Sequence, residues 1–395
     1  MGMMDGIKVL DLSTLFAGPL IATLLGDHGA EVIKVEHPRG DDARRWGASK
    51  EDVSLFWKVL SRNKKCISVN LNESEGQEII RKLIKEADVL IENFRPGRME
   101  KWGLGWEDVS KINDRLIMVR VTGFGQTGPY SSFAGFGTLA EAMSGFAHIT
   151  GETDRPPTLP PFGLADGISG ITGAFAVASA LYKREQAGKG ECIDLALYES
   201  LMWILGGHIV EYDQLGTVQM RNGNQSLRTS PRNTYRTKDG KWIALSASSE
   251  SIAARVFNAI GMPELIEDER FSTNQSRLMH RDEVDRFVGE WAMRHTQQEA
   301  MDILREADAA VAPIYDVRQI VEDEHFIHRG SIVKVPDPEL GEVRMQGIFP
   351  NIMNEQGEIR WTGAHEIGTH TEEILASLGY STNQIADMRK RKAIR

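Results

Sequence analysis

Across residues 1–125, short apolar runs alternate with stretches of helical periodicity, and a chain patterned this way folds as βαβ units stacked into a parallel sheet. The runs place strands at 7–12, 31–36, 67–71, 88–92 and 116–122. After the third, Ser74 with Gln77 makes a capping-box pattern. Ile79, Ile80, Leu83, Ile84 and Ala87 then recur at helical spacing, so a helix covers one sheet face. A length of 395 residues exceeds one ordinary domain, and two cores are expected.

A Gly-rich stretch from Gly123 to Gly151 and the rigid Pro156–Pro161 loop lead into a small-residue helix from about Gly167. Gly167, Gly170 and Gly173 recur every three residues, so this helix can approach another backbone closely and fix Asp166. A strand at Glu191–Leu195, a helix from Tyr198 and a polar crossing segment at Arg221–Arg236 follow. A second unit begins near Thr234, where Asp239-Gly240 separates two strand-like runs as a hairpin signal. Pro313, Pro336, Pro338 and Pro350 punctuate a β-rich return, and a last helix near Thr371–Leu378 precedes a basic tail, Arg389–Lys392, read as a solvated end.

Hydrophobic and charged shares of 41% and 26% are those of a soluble globular protein, and a net charge of −10 disfavours a nucleic-acid binder. Cys66 and Cys192 have no CxxC or Cys/His spacing, so no disulfide framework and no metal site are expected, and a reducing cytoplasm fits. The N-terminus lacks the regions of a signal peptide. The longest apolar stretch, Gly167 to Tyr182, falls short of the roughly 20 residues that cross a bilayer, so no membrane partner is expected.

The first βα turn, Ser13 to Pro19, lacks GxGxxG, which disfavours NAD and FAD, and no P-loop is present. Open parallel sheets bind ligands at the carboxyl ends of their strands, which gathers Leu15, Phe16, His37, Val69, Asn72, Asn93 and Phe94 around one crevice. Asp166 reads either as a helix N-cap or as a nucleophile that the helix N-terminus keeps ionised. Local sequence leaves both readings open.

Leu10-Asp11 followed by Ala17-Gly18-Pro19, Gly29 to Glu36, Arg62 to Lys65, Asp88 to Gly97 and Gly163 to Asp166 occur in that order. With these motifs the chain resembles, over essentially its full length, the class III CoA-transferase family, which includes formyl-CoA transferase, carnitine CoA-transferase and α-methylacyl-CoA racemase. The resemblance implies that Asp166 is the nucleophile, forming first a mixed anhydride and then an aspartyl-CoA thioester. It maps CoA contacts onto Phe16, Ala17, His37, Val69 to Asn72, Asn93, Phe94, Arg95, Lys101 and Ala134 to Gly137, which includes Phe136. Formyl-CoA transferase has basic residues where His37, Asn72 and Ala134 stand, so phosphate contacts pass to groups such as Lys64, Lys65, Arg98 or Lys101. Its Gly-rich active-site loop is not visible here.

The segment Arg44-Arg45-Trp46 borders the acyl pocket in similar transferases, and Arg62 aligns near the same mouth, so a dicarboxylate such as succinate is the expected donor or acceptor. The implied substrates are an acyl-CoA and a small carboxylic acid, with no permanently bound cofactor. The alternatives are a racemase-like enzyme, whose catalytic histidine falls at Phe136, and a non-catalytic CoA-binding protein. The resemblance further implies an α/β fold: a large Rossmann-like domain at 1–215 plus 325–395 and a small α+β domain at 230–315. Linkers at 216–229 and 316–324 would wrap a second subunit in an interlocked homodimer.

Overall fold

The computed structural model describes residues 2–354 and 357–395. Six strands form one sheet: β1 (Lys8–Asp11), β2 (Glu31–Glu36), β3 (Lys64–Ser68), β4 (Val89–Glu92), β5 (Ile117–Thr122) and β6 (Glu191–Ala196). Their order is β3-β2-β1-β4-β5-β6, and every neighbouring pair is parallel. Parallel strands are covered on both faces and so read as near-continuous apolar runs. Val9, Val32, Val89, Ile91, Ile117 and Val119 belong to one buried layer, and Leu10, Val35, Ile67, Leu90 and Met118 to the other.

The helices that bear on the site are α1 (Ala17–Asp27), α2 (Ser74–Ile84), α3 (Gly137–Met143), α4 (Leu164–Ala187), α5 (Leu197–Ile204) and α6 (His208–Leu215). α1 and α4 bury Ile21, Ala22, Leu25, Val177 and Leu181 in the first layer, while α2 and the C-terminal helices Thr371–Ser377 and Thr382–Lys390 close the second.

Three expectations are corrected. The third strand lies at Lys64–Ser68 and not at 67–71. The Lys64 ammonium is buried on Asp11, 3.0 Å away, and on the Pro19 carbonyl, 2.6 Å away, so a basic residue opens a core strand where hydropathy alone would start it at Ile67. The helix expected from about Gly167 begins at Leu164 and runs 24 residues. It is the one helix among the described residues long and apolar enough, by length and composition alone, to cross a membrane, although one side packs on α1. Of the three spaced glycines only two make close approaches. A Cβ at Gly170 would lie 2.6 Å from Leu20 and one at Gly173 2.4 Å from Ile21, whereas nothing lies within 4 Å at Gly167. The basic run Arg389–Lys392 is exposed as expected, with Arg389 and Arg391 pairing with Glu372 and Glu75 at the surface, while Ala393 and Ile394 beyond it are buried.

The chain divides into two compact units. The sheet unit comprises Met1–Phe146, Leu159–Leu215 and Glu324–Arg395, and it includes an antiparallel hairpin of Ile332–Asp337 with Gly341–Gln346. The other comprises Ala147–Thr158 and Gly216–Asp323, so 147–158 groups away from the unit to which sequence assigned it. In this second unit Arg232–Arg236 and Trp242–Ser246 pair antiparallel around the Asp239-Gly240 turn, and Val311–Pro313 adds a third strand. Phe257, Phe271, Val284, Val288 and Trp291 fill its own core.

Candidate active site

Strand order reverses between β1 and β4, and the loops that leave their carboxyl ends part there to form a crevice. Asn93 ties the two loops together. Its side-chain oxygen accepts from the Thr14 N–H at 2.8 Å and its amide donates to the Thr14 carbonyl at 2.7 Å. Leu15 has a left-handed backbone, φ 66°, held because its N–H donates to Asp41 at 3.1 Å. Asp41 also pairs with buried Lys34 at 3.1 Å, and Lys34 donates to the Ser13 carbonyl. Asp11 bridges Lys34 and Lys64, and accepts from the Ser13 N–H and hydroxyl. Burial alone would raise Asp11, but Lys34 and Lys64 outweigh it and hold its carboxyl below the usual range. A buried charge network of this kind is valuable for the geometry it enforces, since desolvation offsets most of its Coulombic gain.

The braced loop delivers Phe16 and Ala17 to Asp166. Asp166 is the third residue of α4 and not its cap, because Gly163 occupies the N-cap position. Gly137, the first residue of α3, makes room for the carboxylate: a Cβ there would come within 1.9 Å of Asp166 Oδ2. Burial and then the charge of Glu141 push the Asp166 carboxyl up to about 6, while backbone N–H bonds from Asp166 itself and Ala17 pull it down. Asp166 is half-buried and opens onto a cavity of about 110 Å³ walled by Phe16, Phe94, Arg95, Phe124 and Phe136. A half-buried carboxylate with raised proton affinity that opens into a cleft is a candidate nucleophile.

Of the residues singled out from sequence, the fold brings Phe16, Ala17, Asn93, Phe94, Arg95, Phe136 and Asp166 around this one cavity. Asn93 spends its amide on Thr14, so its part there is to brace the loop. His37 and Asn72 lie outside the lining: His37 Nδ1 accepts from the Arg39 N–H and Asn72 accepts from Arg98. Lys101 is exposed at the end of the short helix Arg98–Lys101.

Four expected contacts are corrected by their packing. Val69 is 1% exposed in the core, which leaves its side chain no ligand to touch. Lys64 is locked on Asp11 and cannot reach a phosphate. Arg62 holds Asp27 through Nε and Nη2, and its Nη1 donates to the Gln346 carbonyl at 2.6 Å. Arg44 grips Glu36 at 2.6 and 2.8 Å, donates to the Ala364 and His365 carbonyls, and lies 4.1 Å over the Trp57 ring. Each guanidinium is consumed within the fold. Arg45 is exposed and pairs with Asp42, while Trp46 packs on Phe56 at 5.9 Å and Phe56 on Phe16 at 5.5 Å, which joins Trp46 to the cavity wall.

Glu141 carries site geometry that sequence reading missed, while Gly137, expected only within a CoA-contact stretch, makes room for the Asp166 carboxylate. The available signal was an acid set in the apolar helical run Leu139-Ala140-Glu141-Ala142-Met143. Among the described residues, no group of three or more His, Cys, Asp and Glu side chains is placed to hold a metal ion.

The family described as CoA-transferase family III matches residues 4–371. The succinyl-CoA–D-citramalate CoA-transferase of Chloroflexus aurantiacus is 40% identical over 394 residues, covering 99% of this chain and 98% of that protein. The succinyl-CoA–L-malate CoA-transferase beta subunit of the same organism is 40% identical over 395 residues, covering 98% and 97%. The crystal structure of a CAIB/BAIF family protein from Brucella suis superposes with a TM-score of 0.85 at 31% identity, over 95% of this chain and 99% of that one. Full-length agreement in sequence and in fold makes this chain a member of CoA-transferase family III, and the enzyme a CoA-transferase.

Proposed function

We propose that the enzyme moves CoA from succinyl-CoA to a second dicarboxylate through covalent intermediates on Asp166. The observation that carries the reading is the Asp166 carboxylate, held at the switch-point cavity between the first βα loop and α3 with its proton affinity raised. A carboxylate oxygen of Asp166 attacks the thioester carbonyl and expels CoA thiolate, leaving a mixed anhydride. The thiolate then attacks the Asp166 acyl carbon, releases succinate and forms the aspartyl-CoA thioester. The acceptor carboxylate attacks that thioester and expels thiolate once more. Attack of thiolate on the acceptor's acyl carbon frees Asp166 and yields the new acyl-CoA.

Near pH 7 a carboxyl of pKa about 6 is mostly ionised and more basic than an ordinary aspartate, which favours each of its attacks. Backbone N–H groups such as that of Ala17, already directed at the carboxylate, support the charge that develops on its carbonyl oxygen. The succinyl-CoA relatives support the donor, and their citramalate and malate names support an acceptor with two carboxylates. With Arg44 and Arg62 consumed, Arg95 is the one cation among the described lining residues and the group able to hold a second carboxylate bidentately.

The large exposed apolar side chains Phe175 (72%), Trp203 (83%) and Leu215 (75%) on α4, α5 and α6 support a homodimer in which a second copy covers them. Two free cysteines support a cytoplasmic setting. In an assay crossing succinyl-CoA and butyryl-CoA with citramalate, malate, glutarate and butyrate, the diacid pairs should turn over fastest. Asp166→Ala should lower turnover by about 10⁴-fold or more. Near-normal transfer by that variant, or no preference for diacids, would end the reading.

A further inference from the structure

We infer that Glu141 is the positioning residue for Asp166: it caps the turn that bears the nucleophile from a neighbouring helix, and its charge adds to the effect of burial on that nucleophile. The inference rests on Asp166 being the covalent carrier.

The first N–H groups of a helix have no partner within it, and a Ser, Thr, Asp or Asn at the N-cap ordinarily satisfies one of them. The N-cap of α4 is Gly163, which has no side chain to do this. The missing cap arrives from α3. Glu141 Oε1 accepts from the Leu164 N–H at 3.0 Å and the Ala165 N–H at 3.2 Å. The next residue along the turn is Asp166, whose carboxylate accepts from its own N–H and from that of Ala17.

Gly137 and Glu141 stand four residues apart on α3 and therefore share one face. That face does two jobs at once. Gly137 leaves the space that the Asp166 carboxylate occupies, and Glu141 fixes the turn that places it.

A carboxylate is an expensive way to make this cap. Glu141 is 2% exposed, and the loss of water around its charge is offset by the Leu164 and Ala165 N–H groups at the positive end of the helix. A neutral glutamine could accept the same two hydrogen bonds. What the anion adds is repulsion of charge on Asp166, in the direction already seen for its carboxyl. The other charged group lining the cavity is Arg95, from the loop after β4, while Phe16 just before α1, Ala17 on α1 and Leu197 on α5 are uncharged. Glu141 itself is absent from the cavity lining, so it reaches substrate only through Asp166.

The test compares Glu141→Gln and Glu141→Ala in the full chain, with succinyl-CoA as donor and hydroxylamine trapping of the wild type as a separate readout. Gln keeps the cap and removes the charge. It should retain kcat within a few-fold near pH 8 and move the acid limb of kcat/KM to lower pH by about 0.5–1 unit, because loss of a like charge lowers the Asp166 pKa. Ala removes the cap as well and should lower kcat by about 10- to 100-fold, with a much smaller change in KM for acyl-CoA. Rescue of kcat by Gln, but not of the acid limb, separates positioning from bulk stability. An unmoved acid limb in the Gln variant overturns the role for the charge even if the Ala variant fails to fold. Failure to trap an adduct at Asp166 in the wild type overturns the nucleophile reading and this inference with it, whereas an adduct together with an unmoved limb overturns the inference alone.

Discussion

If Asp166 carries the proposed covalent intermediates, function and stability pull apart at this residue. Its folded pKa of about 6 lies above the ordinary 3.8, so folding favours its protonated form. The stability this group contributes is fully present below about pH 4 and is lost as pH rises through 6. Asp166→Asn should therefore abolish transfer yet stabilise the sheet unit at pH 7.5 by roughly 1–3 kcal/mol, and the gain should vanish by about pH 4. Thermal melts of both proteins at the two pH values check this, and an equal gap at both would contradict it. Asn93 gives the complementary case. Asn93→Ala removes both bonds to Thr14, and kcat should fall by about 10-fold or more through a loosened Phe16–Ala17 segment while Asp166 remains in place.

Among the elements, α4 shows which glycines matter. The spacing of Gly167, Gly170 and Gly173 suggested one close-packed stripe, but only the latter two meet α1. Gly173→Ala should cost about 1–3 kcal/mol by overpacking against Ile21, since the added methyl would sit 2.4 Å from its Cδ1. Gly167→Ala should be neutral or gain up to about 1 kcal/mol from helix propensity. Denaturant titration of the two variants distinguishes them. On α3, Gly137→Ala should lower kcat by about 10²-fold by displacing the Asp166 carboxylate, with the fold retained by circular dichroism.

At the scale of the whole molecule, a buried ion cluster is among the ties that hold the C-terminal return to the N-terminal half of the sheet unit. Lys58 meets Asp337 at 2.8 Å and also contacts Glu339, while Thr362 donates to Asp337. Burial alone would raise the Asp337 carboxyl, but the bonds from Lys58, Thr362 and the Leu340 N–H hold it down at about 2. Because this pKa is depressed, its stabilisation is present above about pH 4 and lost as pH falls through 2. Lys58→Met strands a buried carboxylate and should cost about 3–5 kcal/mol at pH 7. Hydrogen exchange should then show the Ile332–Gln346 hairpin opening first, and unchanged protection there would contradict the assignment.

The order of elements, the parallel sheet and the candidacy of Asp166 were legible along the chain, because strand and helix periodicities and the spacing of motifs are local quantities. The fates of basic residues were not. Lys64, Arg44 and Arg62 look alike in one dimension to cations that bind phosphate or carboxylate, and each is instead consumed by Asp11, Glu36 or Asp27. Two of those acids lie more than thirty residues away along the chain, and Arg44 is locked further by carbonyls some 320 residues distant. The same holds for Glu141, which reads as one acid in an apolar helix until folding sets α3 against the uncapped start of α4. Local pattern determines what each segment becomes. Which charge is left free for chemistry depends on which partners the tertiary structure brings within about 3 Å, and desolvation decides the outcome there.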